Sequence, residues 1–176
     1  MPTWSSRGLR GSALEDLINE TNAYYSEHEL ALVQKIPTPI TPIQMNQSKN
    51  QITLAYFDKK STVDYIGVVQ GVPVCFDAKE CKESTFPLHN MHEHQVEFMK
   101  RFEKQEGVSF FLLYFTDIDE FYYLRFSEFL TFYDRMEQGG RKSFRRDELS
   151  DEYFFKTKAP VLCPYLPLLQ KDLLER

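Results

Sequence analysis

The apolar positions of this chain change their period along its length, and each change marks an element. Leu14, Leu17, Ile18, Tyr24 and Tyr25 recur at helical spacing, and Ser12-x-x-Glu15 ahead of them fits a capping box. Glu15, Asn19 and Asn22 line another face of that helix. Ala31–Pro42 contains IPTPITPI, whose closely spaced prolines exclude a helix interior and a central strand. It reads as an extended segment that projects or lies at a sheet edge. Lys60–Glu80, KSTVDYIGVVQGVPVCFDAKE, reads as two short strands joined at Gln70–Gly71, a residue pair suited to a hairpin turn. Val108–Phe115, VSFFLLYF, is apolar without interruption between Gly107 and the polar TDIDE, the mark of a central strand buried on both faces. Phe121–Leu124 follows as its hairpin partner.

Helices fill the intervals. Lys82–His89 is a loop leading to a helix at about Met91–Gln105, which turns Val96, Met99 and Phe102 to the core. Ser127–Met136 is a second helix, capped by Ser127, with Phe129, Leu130, Phe132 and Tyr133 as a core or dimer-interface stripe, and Gly139–Gly140 ends it. Beyond Asp151 the segments DEYFF and CPYLPLL read as a tail packed over the domain, about residues 151–176. The sum is one α/β domain over residues 1–176, a mixed sheet flanked by helices, with neither repeats nor a second domain.

Composition narrows the class. A 176-residue chain with 42% hydrophobic and 15% aromatic residues has enough apolar mass for a substantial core. No apolar run approaches the ~20 residues that span a bilayer, and MPTWSSRGLRG lacks the apolar core of a signal peptide. Cys75, Cys81 and Cys163 are well separated and odd in number, so reduced thiols and a cytoplasmic location are expected. The net charge of −5 argues against a nucleic-acid partner, yet distribution outweighs the sum. Arg7 and Arg10 near the N-terminus, Lys59 and Lys60, and the cluster Arg141, Lys142, Arg145 and Arg146 are the candidate phosphate contacts, with Arg141 and Lys142 the strongest of the cluster. A solvated face is the alternative for each.

The candidate chemistry lies in the hairpin. Side chains two apart on a strand share a face, so Cys75, Asp77 and Lys79 project one way while Val74, Phe76 and Ala78 anchor the other. Folding at Gln70–Gly71 returns the chain and brings Asp77 toward Asp64. Two carboxylates with a lysine two residues past the second, D-x12-D-A-K, form the PD-(D/E)xK nuclease signature and suit a magnesium-dependent phosphodiester hydrolase. A surface hairpin with an ordinary Asp/Lys pair is the plainer alternative. Cys81, His89, His92 and His94 fit no closed zinc framework, since His92 and His94 diverge on a helix, and DNA or solvent contact is the expectation.

RGLRGSALEDLINETNAYY (Arg7–Tyr25), QKIPTPI, KSTVDYIG, FDAKE, FPLHNMHEHQ and GRKSFRRDEL occur in this order. Together they resemble the RecU family, Holliday-junction resolvases of Firmicutes and their relatives, over nearly the whole chain. The resemblance implies a restriction-endonuclease-like core, a homodimer, and cutting of two opposed strands of four-way junction DNA with Mg2+, or with Mn2+ in its place. It carries the metal site to Thr62, Asp64, Asp77 and Gln95, the transition-state lysine to Lys79, and a further acid to Glu15. It puts a stalk-like arm at about residues 37–56 and makes a RecA-type recombinase a candidate partner. Two departures stand out. Asp77 replaces the Glu expected in many relatives, and the arm carries only Lys49 before Lys59. A restriction-like or repair nuclease acting on duplex DNA, and a non-catalytic junction-binding or recombinase-modulating protein, are the rival functions.

Overall fold

The apolar run at 108–115 occupies the middle of the main sheet, where only Tyr114 reaches partial exposure. A computed structural model of the chain describes residues 13–57 and 62–176. In chain order they form α1 (Ala13–Glu27), β1 (Leu32–Lys35), β2 (Ile40–Asn46), β3 (Gln51–Phe57), β4 (Tyr65–Val69), β5 (Val72–Cys81) and β6 (Thr85–Pro87). Then come α2 (Glu93–Glu103), β7 (Val108–Phe115), β8 (Glu120–Arg125), α3 (Phe126–Glu137), β9 (Ser143–Arg145), β10 (Phe154–Phe155) and α4 (Leu166–Glu175). The main sheet has the order β1-β4-β5-β7-β8-β10. Its strands pair antiparallel except for β5 with β7, which run parallel and are joined through α2. That mixed sheet flanked by helices is the expected architecture.

The two sheet faces have different chemistry. On one, Tyr65, Phe76, Phe110 and Tyr123 stack across four strands with successive ring centroids 4.7, 4.7 and 4.4 Å apart. Tyr165, just before α4, packs on Phe76 and Phe110, and the ring of Tyr25 from α1 meets it edge-on at 5.4 Å. This burial of large rings is the main apolar contribution to the fold. On the other face α2 and α3 cover the sheet: Phe129 packs on Phe111, and Ser109 Oγ donates to the Met99 carbonyl. The tail is thus built into the domain, with β10 pairing to β8 and Asp172 accepting a hydrogen bond from Tyr123 at 3.0 Å.

The arm departs from the body. β2 and β3 pair only with each other and share no ladder with the main sheet. Its proline-rich start behaves as expected: Pro37 and Pro39 lie in the unpaired stretch before β2, which begins at Ile40. The register then shifts just after Pro42, which has no N–H to donate. The hairpin lies in the region expected for the arm, about residues 37–56, and β1 is the edge strand of the main sheet.

Several local expectations change. Ser12, the expected cap of α1, lies outside the described residues; the Leu14 N–H at this end donates to the Glu80 carboxylate at 2.9 Å. Asn22 is buried and accepts the Tyr165 hydroxyl at 2.6 Å. Ser127 sits inside α3, which starts one residue earlier after Arg125 without a side-chain cap. The α3 stripe is core, with Phe126, Phe129 and Phe132 buried. No described helix is long and apolar enough to cross a membrane.

Phe110 is the ring on which this packing converges. Phe110→Ala should destabilise the protein by about 3–5 kcal/mol, read as a fall in the urea midpoint at unchanged slope.

Candidate active site

Register brings the two aspartates together. Gln70 and Gly71 adopt φ of 47° and 88°, the left-handed pair of a tight two-residue hairpin, and Val69 pairs directly with Val72. Glycine is at ease there; Gln70 is held by its own amide, which donates to the carbonyls of Glu29 and Leu30 at 2.9 and 3.2 Å. The ladder runs back to Tyr65 opposite Phe76, so Asp64 arrives next to Asp77. The Asp64 N–H donates to Asp77 Oδ1 at 3.2 Å, and the Ala78 N–H donates to Asp64 Oδ2 at 3.0 Å. Lys79, two residues on, donates its ammonium to Asp77 Oδ2.

Gln95 completes the group from α2. Its Nε2 donates to Asp77 Oδ1 at 2.6 Å, while its Oε1 accepts the His92 N–H at 3.3 Å in a capping box. The helix cap therefore fixes the amide that orients the carboxylate. Asp77 itself is fully buried, Asp64 is half-buried, and the Lys79 side chain is 19% exposed. Access to the site runs past Asp64 and Lys79.

Burial pushes the Asp77 carboxyl up to about 7, against the pull of Lys79 and with Asp64 adding to the rise. Two carboxylates meet one ammonium here, so one negative charge is left over in a poorly solvated place. That imbalance, with hard oxygen donors, fits a divalent cation that takes one or two carboxylates and keeps its waters. Among the described residues no three or more His, Cys, Asp or Glu gather into a metal-binding group.

Glu15 sits in the first turn of α1 and pairs with Lys35 of β1 at 2.6 Å, a partner the sequence pattern did not suggest. Glu15 and Asp64 both act on Tyr65, whose hydroxyl burial first and these acids second push above the ordinary phenol range. That hydroxyl donates to Asn19 at 3.1 Å. Thr62 is half-buried two residues before Asp64. Arg7, Arg10, Lys59 and Lys60 lie outside the described residues.

The basic cluster is interleaved with acids. Arg141 is ion-paired with Glu148, which also takes Arg135 at 2.7 Å; Arg145 pairs with Asp147 at 2.9 Å and Arg146 with Glu120. These pairs fasten β9 and its following turn; Lys142 of the cluster is without an acid partner among the described residues. His92 and His94 differ from expectation. His92 precedes α2 as its N-cap, and the two rings lie nearly parallel with centroids 5.5 Å apart. Cys81 is occupied by donating to the Glu83 carbonyl at 2.9 Å.

A family profile described as Recombination protein U, RecU, matches residues 9–171. The chain belongs to the RecU family. A Holliday junction resolvase RecU from Bacillus licheniformis is 42% identical over 154 residues, covering 85% of this chain and 75% of that protein. The RecU of Bacillus subtilis is 39% identical over 170 residues, covering 94% of this chain and 78% of the relative. The RecU of Pediococcus pentosaceus is 41% identical over 169 residues, covering 93% and 84%. Among solved structures, Archaeoglobus fulgidus Hjc, a Holliday junction resolvase, aligns at a TM-score of 0.40 and 7% identity over 64% of this chain and 77% of its own.

The Asp77 carboxyl has a thermodynamic signature. Its folded value lies above the ordinary 3.8, so its contribution to stability is full below about 3.8 and is lost as pH rises through about 7. Metal-free protein should therefore lose Tm between about pH 4 and 7, and Asp77→Asn should flatten that fall in a thermal melt. An equal fall in both proteins would place the titration elsewhere.

Proposed function

We propose that this RecU-family chain is a Mg2+-dependent endonuclease that resolves four-way DNA junctions, with Mn2+ as a substitute ion. The observation that carries the reading is the meeting of Asp64, Asp77, Lys79 and Gln95 in one partly accessible cluster. The relatives' shared designation as Holliday junction resolvases supplies the substrate class.

The residues divide the work by position. Asp64, half-buried, and Asp77, buried, hold the cation. When bound, such an ion polarises the scissile phosphate and lowers the pKa of a water. Gln95 keeps Asp77 aimed, since its own amide is locked by the α2 cap. Lys79 donates its ammonium to Asp77 Oδ2 and is the cationic group of this cluster among the described residues. Released from that bond, it is placed to stabilise charge that develops on the phosphate oxygens. Thr62 and Glu15 remain outer members, Glu15 through its pair with Lys35.

A homodimer suits the substrate, because twofold symmetry presents two such clusters to two symmetric strands. The β2–β3 arm is the element proposed to enter the branch, reading shape instead of sequence. Such work belongs with chromosomal DNA in the cytoplasm, beside a RecA-type recombinase.

With Mg2+ and a synthetic four-way junction, the wild-type protein should produce paired nicks and leave a matched linear duplex uncut. Asp64→Ala and Asp77→Ala should abolish nicking while junction binding in a mobility-shift assay persists. Lys79→Ala should lower the single-turnover rate by about 10^2–10^3-fold. Full cleavage by either aspartate variant would remove this cluster from the chemistry, and binding without any nick by wild type would make the protein a junction binder.

A further inference from the structure

We infer that Lys82 and Lys142 grip the DNA backbone beside the scissile phosphate, across a groove that leads out of the active site; this rests on the nuclease reading. The groove is about 350 Å3 and is lined by Glu80, Cys81, Lys82, Thr85, Pro87 and Asn90, among others. Strand alternation connects it to the chemistry. Asp77, Lys79 and Cys81 lie on one face of β5, so the strand that carries the metal-binding acid runs on into the groove. The far wall leads back to the same place: Asn90 closes the short turn at Leu88–Asn90, and His92 and Gln95 follow it to Asp77. A strand whose phosphate sits between Asp64 and Lys79 therefore meets this groove as its next stretch of protein surface.

Charge selects the two lysines. The arginines nearest the β6–β9 ribbon are consumed by Glu148, Asp147 and Glu120. Lys82 and Lys142 are exposed and have no acid partner among the described residues. The Lys142 backbone lies beside the groove wall, its carbonyl accepting the Leu88 N–H at 3.0 Å, one residue from the lining Pro87. Of the acids on the wall, Glu80 is turned to the α1 N-terminus, leaving Glu83 as the exposed opposing charge. An extended polyanion with unpaired ammonium groups at its edges is the occupant that this arrangement fits. The lysines would hold the strand and leave the reacting atoms to the buried cluster.

The test uses the full-length protein, a four-way junction and single-turnover cleavage in Mg2+, with binding measured in Ca2+ over a salt series. Lys82→Ala and Lys142→Ala, each exposed and so without effect on Tm, should each weaken binding several-fold and leave the rate at saturation unchanged. Each should also reduce the magnitude of the log K against log salt slope by about 1. Lys158→Ala, an exposed lysine on the tail, is the control and should change neither. Wild-type affinity and slope in both groove variants would overturn the inference, as would an equal loss in the Lys158 variant. Absence of cleavage by wild type would instead count against the nuclease reading itself.

Discussion

A carboxylate without water is the constraint around which this molecule is arranged. Asp77 is fully enclosed, and its charge is met by groups drawn from three separate stretches of chain: the Asp64 N–H, the Lys79 ammonium and the Gln95 amide. Each of these depends on a different piece of the fold. The β4–β5 register supplies the first, the strand's own alternation the second, and the α2 cap the third. Leaving any one out would strand a buried acid whose desolvation is already incompletely offset. The parallel pairing of β5 with β7 then becomes understandable, because it sets α2 above the carboxylate and not at the sheet's far edge.

The aromatic face serves the same end from below. Tyr65 and Phe76 are neighbours in the ladder just next to the two aspartates, and their stacking leaves the strands little freedom to slip. A one-residue slip would exchange the acid face for the apolar face. Cys163 and Tyr165 from the tail tie this layer to α1 through Thr21 and Asn22, so distant segments brace the active hairpin.

Much of this was legible in the sequence because strand period and turn chemistry are local signals. The Gln70–Gly71 turn, the faces of β5 and the buried run at 108–115 all follow from residue order alone. Long-range contacts at helix ends were harder: the bond from the Leu14 N–H to Glu80 joins positions 66 residues apart, and no local motif announces it. The ion pairs of the basic cluster were hidden for a related reason. Arg141, Arg145 and Arg146 look like a phosphate surface in one dimension, but the acids that neutralise two of them come from the same stretch and the third is taken by Glu120 of β8. Glu15 has a similar history, since its partner Lys35 is reached only when β1 lies against α1.

The β2–β3 ribbon stands apart from this tightly coupled centre. Ile43, Met45, Leu54, Tyr56 and Phe57 face solvent on it, and among the described residues no third strand pairs with it. Isolated two-stranded ribbons are marginal in water. Its amide protons therefore exchange through local opening that leaves the central ladder protected, and substitutions at its tip are felt there alone. The appendage and the chemistry are thermodynamically separable modules, free to vary at different rates within one short polypeptide.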